Sequence, residues 1–95
     1  MTVNAPAELV IHGSKWQRES SIGKSDGKLL AHYFQQNPSM VGSPELAGTP
    51  EVYHGASQQR RFYWIHSSLN KTVWTCVEYK DREFHFLQGE GNPYQ

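Results

Sequence analysis

The 95-residue chain has no excess of either charge, a single cysteine and no long apolar run, and each shortage removes a class of protein. Nine Lys plus Arg balance nine Asp plus Glu, with four of each sign in residues 1–50 and five of each in residues 51–95. The basic surplus that offsets phosphate charge in a dedicated nucleic-acid binder is therefore missing from both halves. Cys76 has no second cysteine for an intramolecular disulfide and no C-x-x-C or H-x-x-x-H neighbour to hold zinc. That suits a reducing, cytoplasmic setting. No stretch approaches the roughly 18 apolar residues of a membrane span, and the leading MTVNAPAELVIHG lacks the charged and apolar regions of an export signal. The expectation is a protein that does not engage a membrane, in which the Asn70-Lys71-Thr72 sequon is a chance match.

Branched aliphatics are also scarce, with fifteen Val, Ile and Leu in all, but twelve residues are Trp, Tyr or Phe. Rings that bury on the order of 150–250 Å² each can fill the one small core a chain of this length supports. Nine of the twelve lie between Tyr53 and Tyr94. All but Tyr53 and Tyr94 fall in segments with the two-residue alternation of strands, Arg60 to His66, Thr72 to Tyr79 and Glu83 to Gln88, separated by short polar turns. In the first of these, Phe62, Trp64 and His66 share one face while Arg61, Tyr63 and Ile65 share the other.

Upstream, Leu9 to Arg18 reads as one strand with Gly13 as a bulge, and Glu51 to His54 as a short strand. Lys28 to Gln36 reads as a short helix capped by Ser25 or Asp26, its Leu29–Tyr33 and Leu30–Phe34 pairs forming a stripe that must rest on a sheet, and Asn37-Pro38 ends it. The predicted fold is a single α+β domain over residues 1–95. It has an N-terminal strand, one helix and a mainly antiparallel sheet (β-α-β-β-β-β or β-α-β-β-β) with the helix on one face. Residues 38–50 form a long surface loop, and 1–7 and 89–95 are flexible tails.

No cofactor or metal motif is present. Gly23-Lys24-Ser25 sits between a strand and a helix, but a phosphate-binding loop needs glycine where Arg18 stands. His12, His32, His54, His66 and His85 fall on five different predicted elements. Val10-Ile11-His12-Gly13 and Val52-Tyr53-His54-Gly55, each followed at matched spacing by Gln-Arg, read as two similar strand segments with glycine bulges rather than a duplication.

Three functions fit these residues. The foremost is a small non-catalytic binding or regulatory module. Its aromatic, arginine-bearing sheet face, with Arg60, Arg61, Tyr63, Trp64 and Trp74, would meet a protein partner or a second copy, since Trp, Tyr and Arg concentrate at interface hot spots. The second is a sheet-based ribonuclease. RNA cleavage needs a base, an acid and a cation on the phosphate, and Glu78, His85 or His66, and Arg60 or Arg61 supply them from neighbouring strands, provided the register sets them on one face. The third, single-stranded nucleic-acid binding by stacking on Trp64 or Trp74, is disfavoured by the balanced charge.

Overall fold

Alternation of rings along the C-terminal strands dictates a sheet with two buried faces, and the computed structural model has one. It describes residues 4–19 and 21–94. In chain order these form β1 (Glu8–Ile11), β2 (Ser14–Glu19), α1 (Lys24–Gln36), β3 (Glu51–His54), β4 (Arg60–Ser68), β5 (Lys71–Lys80) and β6 (Glu83–Glu90). All six strands lie in one antiparallel sheet in the spatial order β1-β2-β3-β4-β5-β6. The α+β class and the order of strand, helix and sheet are those expected.

One difference is at the start. The expected single N-terminal strand is a hairpin, with Leu9 opposite Trp16 and Ile11 opposite Ser14. The chain reverses at His12-Gly13, whose φ angles of 49° and 81° are the consecutive left-handed pair of a two-residue hairpin turn. The glycine therefore marks a reversal, not a bulge. The helix also starts earlier than expected. Lys24, not Lys28, is its first residue, because Asp26 lies inside the first turn and accepts a bond from the Gly23 N–H at 3.4 Å. Its end is as expected: the Asn37 N–H donates to the Tyr33 carbonyl and Pro38 follows.

Register assigns each ring to a face. On the helix side, Val52, Phe62, Trp64 and Val77 pack against Leu30 and Tyr33 of α1. The surface loop of residues 38–50 folds onto this side. Two 3₁₀ turns, Pro38–Met40 and Pro44–Leu46, fold over this side, burying Leu46 in the same core and bringing the Gly48 carbonyl to the Trp64 indole N–H at 3.3 Å. On the other side Leu9, Trp16, Tyr53, Tyr63 and Cys76 form a second buried cluster. Leu9 of the edge strand joins one cluster with residues as far across as Cys76 of β5, and Ile11 of β1 and Leu87 of β6 line a common groove, so the sheet curls and this side is concave.

The segments expected to be flexible tails are partly engaged. Tyr53 Oη donates to the Pro6 carbonyl at 2.6 Å, Gly89 and Glu90 continue β6, and Tyr94 packs on Tyr53 and Tyr63 with ring centroids 5.6 and 5.4 Å away. Residues 1–3 and 95 lie outside the described residues.

The β4–β5 and β5–β6 hairpins place non-glycine residues at positive φ: Leu69 and Asn70 at 50° and 64°, Asp81 and Arg82 at 53° and 65°. Left-handed backbone costs an L-residue with a Cβ about 1 kcal/mol or more, and Leu69 is 92% exposed, so no packing offsets it. Replacing Leu69-Asn70 by Asn-Gly should therefore stabilise the fold by about 1 kcal/mol, raising Tm by about 4–8 °C for a domain of this size. Thermal unfolding followed by circular dichroism checks this; an unchanged or lower Tm would show that the turn is not strained.

Candidate functional site

Because opposite residues in an antiparallel ladder share a face, the pairing of β4, β5 and β6 decides which polar groups meet. Arg61 lies opposite Glu78, and Glu78 lies opposite His85. The three form a row across adjacent strands on the concave side. His66 is on the helix side, opposite Val73, and borders a separate groove with Glu45 and Trp74. The five residues expected to form a partner-binding face divide between the two sides. Arg60 and Trp64 face α1, whereas Arg61, Tyr63 and Trp74 face the concavity. Both Trp64 and Tyr63 are buried, so they pack the two cores and present no ring to a partner in this conformation. Trp74 is half-buried against Gly89, where a Cβ would come within 2.5 Å of its indole.

At one end the concave side is filled by Leu9, Tyr53, Tyr63 and Tyr94. The other end is open, a groove of about 580 Å³ walled by Ile11 and Leu87, rimmed by His12, Lys80 and His85, and floored by Trp16, Arg61 and Glu78. Arg61 anchors this floor. Its guanidinium carbon lies 5.5 Å from the Trp16 ring centroid and 5.9 Å from that of Tyr63. Nε and Nη2 contact the Glu78 carboxylate, and Nη1 donates to Tyr63 Oη at 2.6 Å. A guanidinium has five N–H donors, so these contacts leave two for an incoming oxygen. The floor thus combines an apolar indole, a fixed cation with spare donors and a carboxylate.

Sequence reasoning missed Trp16 as part of this floor because a single bulged strand hides the hairpin that swings its indole across the sheet. The recurring V-x-H-G pattern held a signal: a Cβ on Gly55 would come within 2.9 Å of the Trp16 ring, so the glycine makes room for the indole.

A second polar cluster ties α1 to the sheet. Asp26, 1% exposed, accepts from Arg60 Nε at 3.0 Å and lies 3.1 Å from His54 Nε2, while His54 Nδ1 lies 3.1 Å from Glu19. Sequence reasoning treated Asp26 as a cap alone, since nothing local reveals that Arg60, 34 residues on, returns to meet it. Among the described residues, no group of His, Cys, Asp and Glu is placed to hold a metal, and no helix is long and apolar enough to cross a membrane. Comparison with protein-family models, curated proteins and solved structures finds no match to this chain.

Asp26 is the charge on which that cluster depends. Asp26→Asn leaves the half-buried Arg60 without its carboxylate and should destabilise the protein by about 3–5 kcal/mol, more than Glu19→Gln, whose carboxylate is half exposed. Urea unfolding of the two variants measures the difference; equal midpoints would remove Asp26 as the anchor.

Burial also sets the response to alkali. It pushes Tyr53, Tyr63 and the Cys76 thiol each up to about 12, with the Arg61 cation pulling Tyr63 and Cys76 the other way. In the unfolded chain these groups lose their protons near 9 for the thiol and 10 for the phenols. Raised folded values mean that stability is intact below pH 9 and is lost as pH climbs toward 12. Unfolding midpoints should hold steady from neutral pH to 9 and then fall, and Cys76→Ala should delay the onset. A midpoint insensitive to alkali would contradict the burial of these groups.

Proposed function

We propose that the protein is a non-catalytic binding module that takes a segment of a protein partner into the open end of its concave sheet face, over Trp16, Arg61 and Glu78. The observation that carries this reading is the state of Arg61. Its guanidinium is held between two rings and bonded to Glu78 and Tyr63, yet keeps two donors uncommitted. A cation fixed before binding loses little side-chain freedom when it binds, and its donors suit a carboxylate or a backbone carbonyl of the partner. Leu87 and Ile11, which wall the groove, supply apolar contact. The lone, buried Cys76 supports a cytoplasmic setting, where thiols stay reduced.

Arg61→Lys keeps the charge and removes the fork. Partner capture from native extract treated with nuclease should fall about tenfold with Arg61→Lys or Lys80→Glu and be retained by Lys28→Glu on the exposed side of α1. Capture that survives both groove substitutions in a folded protein would exclude the groove as the contact surface.

The row Arg61, Glu78 and His85 favours a second reading, hydrolysis of RNA, in which Arg61 holds the phosphate, Glu78 takes the proton of the attacking hydroxyl and His85 protonates the leaving oxygen. Release of nucleotides from single-stranded RNA, abolished by Glu78→Gln and by His85→Ala, would establish it. Absence of cleavage across a broad pH range retires it. Stacking on bases has less support, as no Trp or Tyr is among the large apolar side chains exposed in the described residues.

A further inference from the structure

The two edges of the sheet are unequal. β1 has four residues, while β6 has eight, no proline, and charges only at its ends, Glu83 and Glu90. Among the described residues no strand pairs with the side of β6 that faces away from β5. A long edge without a blocking device is a template for another strand. Two of the exposed large apolar side chains, Phe86 at 42% and Leu87 at 37%, sit side by side on it and point to opposite faces of the sheet. Grooves border it on both faces: the concave one described above, and one of about 620 Å³ against α1 that includes His32, Tyr79, Phe84 and Phe86.

Register selects the occupant. When a second copy adds across a two-fold axis normal to the sheet, opposite residues share a face and their numbers sum to an even constant. Two such registers overlap seven of the eight residues of β6. The one centred on Leu87 sets Phe84 against Glu90 and brings no opposite charges together. The one centred on Phe86 sets Phe86 against its own symmetry mate, His85 against Leu87, and Arg82 in the adjoining turn against Glu90, twice by symmetry. Both charges are available. Arg82 makes no salt bridge among the described residues, and Glu90 has only a loose contact with Lys71 at 3.8 Å, in which both side chains are about two-thirds exposed.

We infer that the protein forms a two-fold homodimer by antiparallel pairing of β6 with β6 in the Phe86-centred register, joining two six-stranded sheets into one. The ladder supplies main-chain hydrogen bonds, the Phe86 pair supplies apolar contact, and the Arg82–Glu90 pairs fix the register. On the concave side His85 and Leu87 of each copy meet across the axis, so the two grooves adjoin. The inference stands independently of what the grooves bind.

Sedimentation equilibrium from micromolar to millimolar protein should show a reversible monomer–dimer equilibrium. Arg82→Glu and Glu90→Arg should each weaken it roughly tenfold or more, and the double reversal Arg82→Glu/Glu90→Arg should restore it, because swapping both signs regenerates the pair. Phe86→Lys, at a partly exposed position that the fold does not need, should be monomeric with an unchanged circular dichroism spectrum. A wild-type monomer throughout the range overturns the dimer. A dimer indifferent to Phe86→Lys, or one that the double reversal fails to restore, overturns the interface or its register.

Discussion

The structure depends on the burial of three consecutive rings. Phe62, Tyr63 and Trp64 follow one another on β4 and are all nearly inaccessible, although neighbouring residues of a strand point to opposite sides. A sheet with one face in water cannot satisfy that run, so both faces must be covered by a chain with a single short helix. The helix and the folded-down 38–50 segment cover Phe62 and Trp64. Tyr63 is covered on its own side by Tyr94, which follows the last strand, and by the cluster with Leu9, Trp16 and Tyr53 that the curl of the sheet gathers.

The curl explains the polar chemistry as well. A concave sheet face of limited width cannot be filled end to end by the side chains this chain carries. One end is closed by Leu9, Tyr53, Tyr63 and Tyr94, and the other is left as a groove. Arg61 sits at the boundary, where its charge is taken up by the Glu78 carboxylate and by two ring faces. A cation removed from water needs such partners, and meeting that need leaves it fixed and partly available to a ligand. The same curled sheet ends in β6, whose outer edge lacks a strand partner among the described residues, so groove and edge border one another.

Much of this was legible in the chain. The alternation of the C-terminal strands gave the correct face for Phe62, Trp64, Arg61, Tyr63, Glu78 and His85, because a period of two is local. The two sides to which those faces turn were not legible, and neither was register. Whether Glu78 meets His85 depends on the length of the Asp81-Arg82 turn, and whether Arg61 meets Glu78 on the Leu69-Asn70 turn. Both are two-residue reversals built from residues that do not announce left-handed backbone, as Asn-Gly would. The hairpin at His12-Gly13 is hidden for a related reason: a lone glycine between apolar residues serves as bulge or reversal, and the choice is made by what the next strand packs against.

The sequence by itself determined a neutral, aromatic-cored α+β domain, the positions of its C-terminal strands and the end of its helix, since these follow from side-chain period, ring content and backbone restriction at proline. Only the tertiary structure decided which rings are buried and on which side. Tyr63 and Trp64, the most conspicuous candidates in the chain, are consumed by the two cores, and Trp16, from a strand that looked peripheral, is buried in the same cluster as Tyr63, its ring backing Arg61 beneath the groove. The reason is physical: burial on both faces of β4 is settled by the curl of the whole sheet, a sum of small twists over six strands to which no local stretch of sequence has access.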